Sequence, residues 1–429
     1  APDLRDVVVH GSELYVSHFR AATVSVVGFD GSAYGNLPLA AAPMTSSKWS
    51  GAVPDVAWRM VAFTDGRVAV VHQRARQPGE SPISTNAGGY SEPAQTSPEG
   101  KPCGLGIVHS AVSLLSAGGG IATLPPISDA VLPIDLAVDA RTNLAVVAAG
   151  NGHTKELAQV FLFDAEREAF GAQCLHASVA ISVPGQPIAA AFADDVLVVQ
   201  TREPASLRRY SLAGELLGAI ELGGESREDP GHAIFHSNAG GFIACASCHP
   251  EGSDDGHVWS FDAMGPRRTQ NLRGGIVGTA PFHWDGTLVD LHSLMGEVFS
   301  KRMSGAKLAG DQVDALSKWI DRIPYLPAPK PVDAAAAARG DALFHETRLD
   351  CVRCHSGPKL TNNQTVDVGT GPMQVPSLRG LKFRAPFMHD GCAPNLAARF
   401  GPCGGNAHGN TADLTPTQLA DLVAYLESL

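Results

Sequence analysis

Two short sequences place two cysteines and a histidine at a fixed spacing. They are Cys245-Ala246-Ser247-Cys248-His249 and Cys351-Val352-Arg353-Cys354-His355. Two thiols three positions apart can add across the two vinyl groups of one haem, and the adjacent histidine then lies under the iron as an axial ligand. A redox-active or zinc-binding cysteine pair does not need that histidine. The sequence therefore predicts two covalently bound haem c groups, each held by the thiols and the histidine of one motif.

The other four cysteines are Cys103, Cys174, Cys392 and Cys403. Because Cys392 and Cys403 flank a short segment and the other two share the N-terminal half, we expect two disulfides, with free buried thiols as the alternative. Disulfides and haem attachment both need an oxidising compartment outside the cytoplasm. We therefore expect a periplasmic or extracellular protein in its mature form, since the sequence opens without a signal segment.

Composition narrows the possible partners of this 429-residue chain. A formal net charge of -11 argues against a nucleic-acid partner, which would need a basic face. No run of about 18 apolar residues is present, so we expect no membrane span. The length indicates two or three domains.

Residues 1–228 favour an all-β domain. Four segments share an extended apolar start, a tight turn and a β-branched run, and they begin near Arg5, Val56, Ile134 and Ile188. The starts are roughly 50, 80 and 50 residues apart, close to the length of a β-propeller blade if residues 76–104 form an inserted loop. We predict a β-propeller-like domain, with a β-sandwich as the alternative. Four blades are few for a closed ring, so the propeller is either small or incomplete.

After residue 228 the pattern changes to helices separated by Gly/Pro-rich loops. Apolar spacing predicts helices over residues 311–323 and 334–345. A last helix is predicted with Thr415 as its N-cap and Pro416 at its first position. We predict a mainly α-helical half made of two cytochrome c-type lobes, residues 229–328 and 329–429, joined by a stiff Pro-rich linker.

From about residue 230 the chain resembles the bacterial di-haem cytochrome c peroxidase family, which includes the MauG-type protein-oxidising enzymes. The matching stretches are, in order, residues 245–249, Gly256-His257-Val258-Trp259, Gly265-Pro266-Arg267, Trp284-Asp285-Gly286, residues 351–355, Pro376-Ser377-Leu378-Arg379-Gly380 and Pro386-Phe387-Met388-His389-Asp390-Gly391. The resemblance implies a first haem that meets peroxide and a second haem that stores an electron. It does not extend to the β-rich half.

The resemblance also implies roles for single residues. His257 matches the removable sixth ligand of the first haem, and Trp284 matches a tryptophan that relays electrons between the haems. The alternatives are a hydrogen-bonded surface histidine and a buried core aromatic residue.

One departure from the family concerns acid–base chemistry. The family has a glutamate followed by Met after the Trp-Asp-Gly segment, and here Arg302 stands before Met303. An arginine stays protonated and cannot act as a general base, although it could stabilise a developing anion. Glu297 is an alternative acid nearby in the sequence.

Two further departures concern metal ligands. The family's sixth ligand of the second haem aligns near Cys403, which we expect in a disulfide. His408 is our candidate in its place and Met388 is the second choice; two histidines would give a lower potential than His/Met ligation. The family's calcium is doubtful because Arg268 takes the place of an asparagine, and its guanidinium could replace the charge of the ion.

These observations predict a peroxidase-like oxidoreductase that reduces peroxide or oxidises a partner, with electron relay through Trp284. A redox protein or a small electron donor would be its partner. The alternative is a non-enzymatic electron carrier that uses the propeller as a docking platform. A third possibility is a propeller that binds a small metabolite whose electrons pass to the haems.

Overall fold

The computed structural model describes residues 3–41, 52–77, 81–91, 95–96, 100–116, 119–141, 143–152, 157–164, 174–404 and 407–429. The chain divides into two compact units. The first comprises Ala1–Cys248 with Phe299–Ala306, and the second comprises His249–Val298 with Lys307–Leu429. The expected division into one β-rich domain and two haem lobes, after residues 228 and 328, stays a prediction.

The first unit contains four-stranded antiparallel sheets with strand orders β1-β2-β3-β4, β5-β6-β9-β10, β11-β12-β13-β14 and β15-β16-β17-β18. The strands are β1 (Leu4–His10), β2 (Glu13–His18), β3 (Thr23–Gly28), β4 (Ala33–Pro38), β5 (Val53–Ala62), β6 (Val68–Ala75), β7 (Gln95–Thr96), β8 (Pro102–Cys103), β9 (Val108–Leu115), β10 (Ile121–Thr123), β11 (Pro133–Val138), β12 (Asn143–Ala148), β13 (Val160–Asp164), β14 (Val179–Ile181), β15 (Pro187–Ala193), β16 (Val196–Thr201), β17 (Ser206–Ser211) and β18 (Leu216–Glu221). The prediction of an all-β N-terminal half is confirmed.

The sheets pack side by side through their first strands. Strand β1 lies against β5, β5 against β11, and β11 against β15. The four predicted repeat starts fall on these four strands. Alternating apolar residues fill the spaces between sheets: Val24 and Val70 are buried between the first two, and Leu162 and Val199 between the last two.

The predicted insertion at residues 76–104 lies within the second sheet's connection from β6 to β9. Its residues 78–80, 92–94 and 97–99 are outside the described part of the chain. Strands β7 and β8 pair with each other there. At its end Cys103 forms the predicted disulfide with Cys174, with Cα atoms 5.9 Å apart.

The remaining elements follow residue 229, except for one 3₁₀ turn at Ala149–Asn151. The helices are α1 (Pro230–His236), α2 (Cys245–Cys248), α3 (Leu291–Leu294), a π-helix (Met295–Arg302), α4 (Gly310–Asp321), α5 (Ala334–Phe344), α6 (Leu396–Arg399) and α7 (Pro416–Leu426). Short 3₁₀ turns span Ala149–Asn151, Pro250–Gly252, Ile276–Thr279, Thr347–Leu349 and Leu381–Phe383, and two small hairpins are formed by β19 (Val258–Phe261) with β20 (Gly265–Arg268) and β21 (Thr365–Asp367) with β22 (Pro372–Gln374).

The predicted helices are present as α4, α5 and α7. Thr415 caps α7 by accepting a hydrogen bond from the amide of Gln418, and Pro416 follows it. Helices α5 and α7 cross closely at Gly340, where a Cβ atom would overlap the carbonyl of Asp421. Long loops separate the helices, so this part of the chain is less helical than the sequence predicts. Within the described ranges, no helix is long and apolar enough to cross a membrane.

Candidate functional site

The second attachment motif lies on the wall of a cavity of about 240 Å³ in the second unit. Cys351, Cys354 and His355 all line it. Most of the remaining wall is apolar, and it is contributed by α5, α6, α7 and the loop that precedes α6. The apolar lining includes Phe344, Leu378, Leu381, Phe387, Leu396, Leu422 and Leu426. An apolar cavity beside two free thiols and an imidazole suits a flat, largely apolar cofactor attached through those thiols.

Two imidazoles face each other across this cavity. The ring centroids of His355 and His408 are 6.1 Å apart and the ring planes are inclined by 31°. A metal ion bonded to two imidazole nitrogens at about 2.0–2.1 Å would place the ring centroids about 6 Å apart. The spacing of the two rings is compatible with one metal ion between them, and His408 as the sixth ligand stays a prediction.

The surroundings of the ring nitrogens in His355 and His408 are compatible with that arrangement. Nδ1 of His355 lies 3.1 Å from the carbonyl of Leu360, which can accept its proton and leave Nε2 free for a metal. Nδ1 of His408 is buried without a hydrogen-bond partner in the described part of the chain. Burial, followed by the charges of Arg399 and His355, lowers the pKa of His408 to about 3, so its ring is neutral.

Met388, the second choice for the sixth ligand, and Cys403, near which the family's ligand aligns, are also located. Met388 lines the same cavity, in a backbone conformation with φ of 72°. Cys403 forms the predicted disulfide with Cys392, with Cα atoms 5.8 Å apart. This disulfide removes Cys403 as a ligand and confirms the reason for looking elsewhere. The assignment of His408 over Met388 stays a prediction.

The first attachment motif begins as the single turn α2. In the first unit, the side chain of Gln73 on β6 donates a hydrogen bond of 2.8 Å to the carbonyl of Ser247, between the two cysteines. Burial raises the pKa of the Cys245 thiol to about 12. The side chain of Gln73 therefore holds the backbone between the two cysteines, and burial favours the protonated form of the Cys245 thiol.

His249 begins the second unit. Its Nδ1 lies 3.3 Å from the carbonyl of Ser253. Burial lowers the pKa of His249, while the Ser253 carbonyl and the charge of Asp254 act in the opposite direction. The neutral ring has its Nδ1 directed toward a carbonyl, the same arrangement as at His355.

His257, the predicted removable ligand, is only 9% exposed. Its carbonyl accepts a hydrogen bond from the amide of Thr269, and its ring lies 4.4 Å from the ring of Trp259. Trp259 in turn donates from Nε1 to Oγ1 of Thr269. The sequence-based alternative of a surface histidine does not describe this position, whereas ligation by His257 stays a prediction.

Trp284, the predicted relay, lies on the wall of the cavity of the second motif. Its Nε1 donates a hydrogen bond of 2.6 Å to the carbonyl of Arg268, and the amide of Arg268 donates one of 2.7 Å to the carbonyl of His389. The rings of Trp284 and His389 are 6.5 Å apart. Arg268 and His389 therefore position the indole beside the second site, and Trp284 is half-buried at the cavity rather than enclosed in a core.

The acid–base candidates fall in different units. Arg302 belongs to the first unit, is 6% exposed, and its carbonyl accepts a hydrogen bond from the amide of Tyr90 in the insertion. The carbonyl of the preceding Lys301 is bound in the same way by the amide of Gly88. Glu297 belongs to the second unit and is half-buried on the π-helix. A catalytic role for either residue stays a prediction.

The guanidinium of Arg268 lies among oxygen atoms of the kind that bind calcium. Its guanidinium is 5% exposed and donates hydrogen bonds to Oδ1 of Asp254 at 2.8 Å and to the carbonyls of Thr269 and Arg384 at 2.9 and 2.6 Å. Carboxylate and carbonyl oxygens are the ligands that calcium prefers. Here a fixed cation already occupies the middle of that oxygen set, so these residues do not fit a calcium ion.

A repeated loop, which the sequence analysis missed, organises the second unit. Ala280-Pro281-Phe282-His283-Trp284-Asp285-Gly286 and Ala385-Pro386-Phe387-Met388-His389-Asp390-Gly391 share a cis proline, a positive φ at the fourth position and a bridge from the phenylalanine to a residue six positions on. A capped four-residue helix follows each loop: Asp290 caps α3 and Asn395 caps α6. The repeated Ala-Pro-Phe-x-x-Asp-Gly pattern is the sequence signal that could have shown it.

Arg399 is the second residue that sequence reasoning missed. It lines the cavity of the second motif and is 7% exposed. Burial lowers its pKa to about 10. It occupies the last position of α6, where α3 has Leu294, so the internal repeat was again the available signal.

Solved structures show limited similarity to the chain. A hydrazine synthase from Kuenenia stuttgartiensis has a TM-score of 0.41 and 23% identity over 46% of this chain and 86% of that chain. A MauG-like protein associated with microbial copper homeostasis has a TM-score of 0.37 and 20% identity over 46% and 86%. A streptogramin B lyase has a TM-score of 0.28 and 10% identity over 53% and 72%. At TM-scores below 0.5 these similarities carry no argument about fold or function.

No protein-family model matches the chain, and no curated protein sequence matches it.

Proposed function

We propose that the chain is a two-haem c-type cytochrome whose four sheets are blades of a β-propeller. The observation that carries the proposal is the pair His355 and His408, which face each other across an apolar cavity beside the thiols of Cys351 and Cys354. When bound, the haems would supply one-electron redox chemistry. Mass spectrometry of matured protein should find two covalent porphyrin adducts, together with a Soret band; fewer than two adducts would contradict the proposal.

We further propose an oxidoreductase of the di-haem peroxidase or MauG type. An iron site closed by two protein ligands can exchange electrons but has no position for a small oxidant. His355 and His408 would close the second site in this way, so peroxide chemistry is assigned to the first motif, with His257 as the ligand that must leave. Oxidation of a partner would then draw on both sites.

Trp284 is the proposed relay between the sites. Its indole is held in one orientation by the Arg268 carbonyl. An indole can be oxidised more readily than a phenyl ring, so at a fixed place it can divide one long electron transfer into two shorter ones. Trp284→Phe should slow electron equilibration between the haems by at least tenfold in stopped-flow measurements. Trp58→Phe is the matched control, because Trp58 is a buried indole of the first unit that packs against Phe19. Equal rates in wild type and Trp284→Phe would remove the relay role.

A non-enzymatic electron carrier is the second candidate, and Arg302 favours it. A guanidinium cannot take the proton that O–O cleavage requires a base to accept. A first haem that is high-spin at rest, or that becomes so on half-reduction, supports the enzyme; two permanently low-spin irons unreactive toward peroxide support the carrier. Arg302→Glu should raise peroxide turnover at least tenfold if this position limits it, whereas Lys301→Glu, at an exposed neighbour, should not.

We propose an oxidising location outside the cytoplasm, periplasmic or extracellular. Both disulfides and thioether attachment require it. The partner would be a redox protein or a small electron donor, with peroxide as the oxidant. Isolation of the chain from the periplasmic fraction with both disulfides closed is the expected result, and a cytoplasmic chain with reduced thiols would contradict it.

A further inference from the structure

Arg399 is a buried cation at the edge of the cavity that would hold the second haem. One terminal nitrogen, Nη2, donates to the carbonyl of His408, the residue that faces His355. The other, Nη1, is buried without a hydrogen-bond partner in the part of the chain that the structure describes. The guanidinium therefore contacts the backbone of the proposed ligand and keeps its positive charge beside the cavity.

The local structure holds this guanidinium in place. Asn395 caps α6 by accepting a hydrogen bond from the amide of Ala398, and Arg399 ends that turn. The guanidinium carbon lies 4.9 Å from the centre of the Phe400 ring. Gly404 lets the chain pass beside it, because a Cβ there would be 2.8 Å from the Arg399 carbonyl and 3.4 Å from Nη1. These contacts hold the Arg399 guanidinium in one position.

The charge of Arg399 lies on the wall of the cavity that also carries Cys351, His355 and His408. Its Coulomb interaction acts on Cys351, His355 and His408, and on both histidines it opposes a further positive charge. A ferric centre carries one more positive charge than a ferrous centre. A fixed cation at low solvent exposure therefore destabilises the ferric state relative to the ferrous state.

We propose that Arg399 is a positioning residue that sets the potential of the second haem, by holding the His408 segment and by raising the potential that two histidines alone would give. The proposal rests on the proposed function, since it needs a haem between His355 and His408. The repeat gives a contrast, because α3 carries Leu294 at the equivalent position. At this position of the repeat, the second copy therefore carries a charge and the first does not.

The test is potentiometric titration of the full holoprotein in wild type, Arg399→Gln, Arg399→Leu and Arg399→Lys. The neutral variants should raise the ferric-to-ferrous ratio of the second haem at least tenfold at a fixed potential, a downward shift of about 59 mV for a one-electron couple. Arg399→Lys, which keeps the charge, should shift it by less than half as much. Arg348→Gln is the control, because it removes an exposed cation of the same lobe that pairs with Glu346.

Each outcome decides the proposal. An unchanged potential in the neutral variants overturns it, as does an equal fall in Arg399→Lys or in Arg348→Gln. Neutral variants that lose the second haem also count against it, because they would assign Arg399 to haem retention. Failure of the proposed function is distinguishable, since wild type would then lack two covalent haems or the low-spin signature of the second one.

Discussion

The two repeated loops of the second unit use one backbone for different chemistry. Both have a cis proline and a left-handed fourth residue, with φ of 66° at His283 and 72° at Met388. At the next position the first loop carries Trp284 and the second carries His389, and these two side chains lie near each other. The carbonyl and amide of Arg268 join them through hydrogen bonds to the Trp284 indole and the His389 carbonyl.

The difference shows which positions of the repeat determine the backbone and which determine the side-chain chemistry. The turn geometry is fixed by Pro, Gly and Asp, which are the same in both loops. The two loops differ at positions that the turn does not constrain. One such position carries the Trp284 indole in the first loop and the His389 imidazole in the second, and the helices that follow end in Leu294 and Arg399. The proposed relay and the proposed tuning of the second haem therefore arise from side chains on an unchanged scaffold.

The largest expected effect comes from removing the thiols of one motif. Cys351→Ser with Cys354→Ser should abolish covalent attachment at the second site and leave the first intact. The cavity of about 240 Å³ would lose its content. At roughly 24 cal/mol per Å³ this corresponds to about 6 kcal/mol, less the part that entering water recovers. Mass spectrometry should show one haem fewer, and calorimetry should show a weakened second unit. Two haems in the variant would contradict the assignment of the motifs.

The next effect separates the two candidate ligands of the second site. His408→Ala should convert the second haem from low-spin to high-spin, because the facing imidazole is lost, whereas Met388→Leu should leave the spectrum unchanged. Electron paramagnetic resonance of the ferric protein distinguishes the two results. The opposite pattern would make Met388 the ligand and leave the 6.1 Å spacing of the rings without a function.

Some features of this protein can be predicted from the sequence and others cannot. The attachment motifs, both disulfides, the capped helix α7 and the first strands of the four sheets could be recognised, because local spacing and caps encode them. The repeat marks the position of Arg399, but the sequence could not show its role, because that role depends on a contact with His408 that only the folded loop creates. The sequence also could not show the hydrogen bonds from Arg268 to the carbonyls of Arg384 and His389, which lie more than 100 positions further along the chain.

A smaller effect concerns the cation of Arg268. Because its guanidinium already satisfies Asp254 and two carbonyls, purified wild type should contain no tightly bound calcium and chelators should not change its thermal unfolding. Arg268→Met should destabilise the second unit by about 3–5 kcal/mol, since it takes the partner from a buried carboxylate. Metal analysis and calorimetry test both. One tightly bound calcium per wild-type chain would refute the replacement of the ion by arginine.

The smallest effect compares the helix caps that follow the repeated loops. Hydrogen bonds from Ser293 lower the pKa of Asp290, so that carboxylate is more stable ionised in the folded chain. Its contribution is present above the unfolded-state pKa and is lost as pH falls through the lowered folded-state value. The side chain of Asn395, whose oxygen Oδ1 accepts a hydrogen bond of 2.9 Å from the backbone amide of Ala398, does not titrate. Asn395→Ala should therefore cost about 1 kcal/mol at every pH, whereas Asp290→Ala should lose its effect in acid.

Exchanging the two caps sharpens the contrast. Asp290→Asn should keep the cap and flatten the acid limb of the second unit's unfolding profile, because the titrating group is replaced by an amide of the same shape. Asn395→Asp should steepen that limb by placing a carboxylate at the second cap. Chemical denaturation between pH 3 and 6, about the range where carboxylates titrate, measures both. If the two exchanges changed the profile in the same direction, the caps would not act as independent equivalents, and the repeat would share its backbone without sharing its energetics.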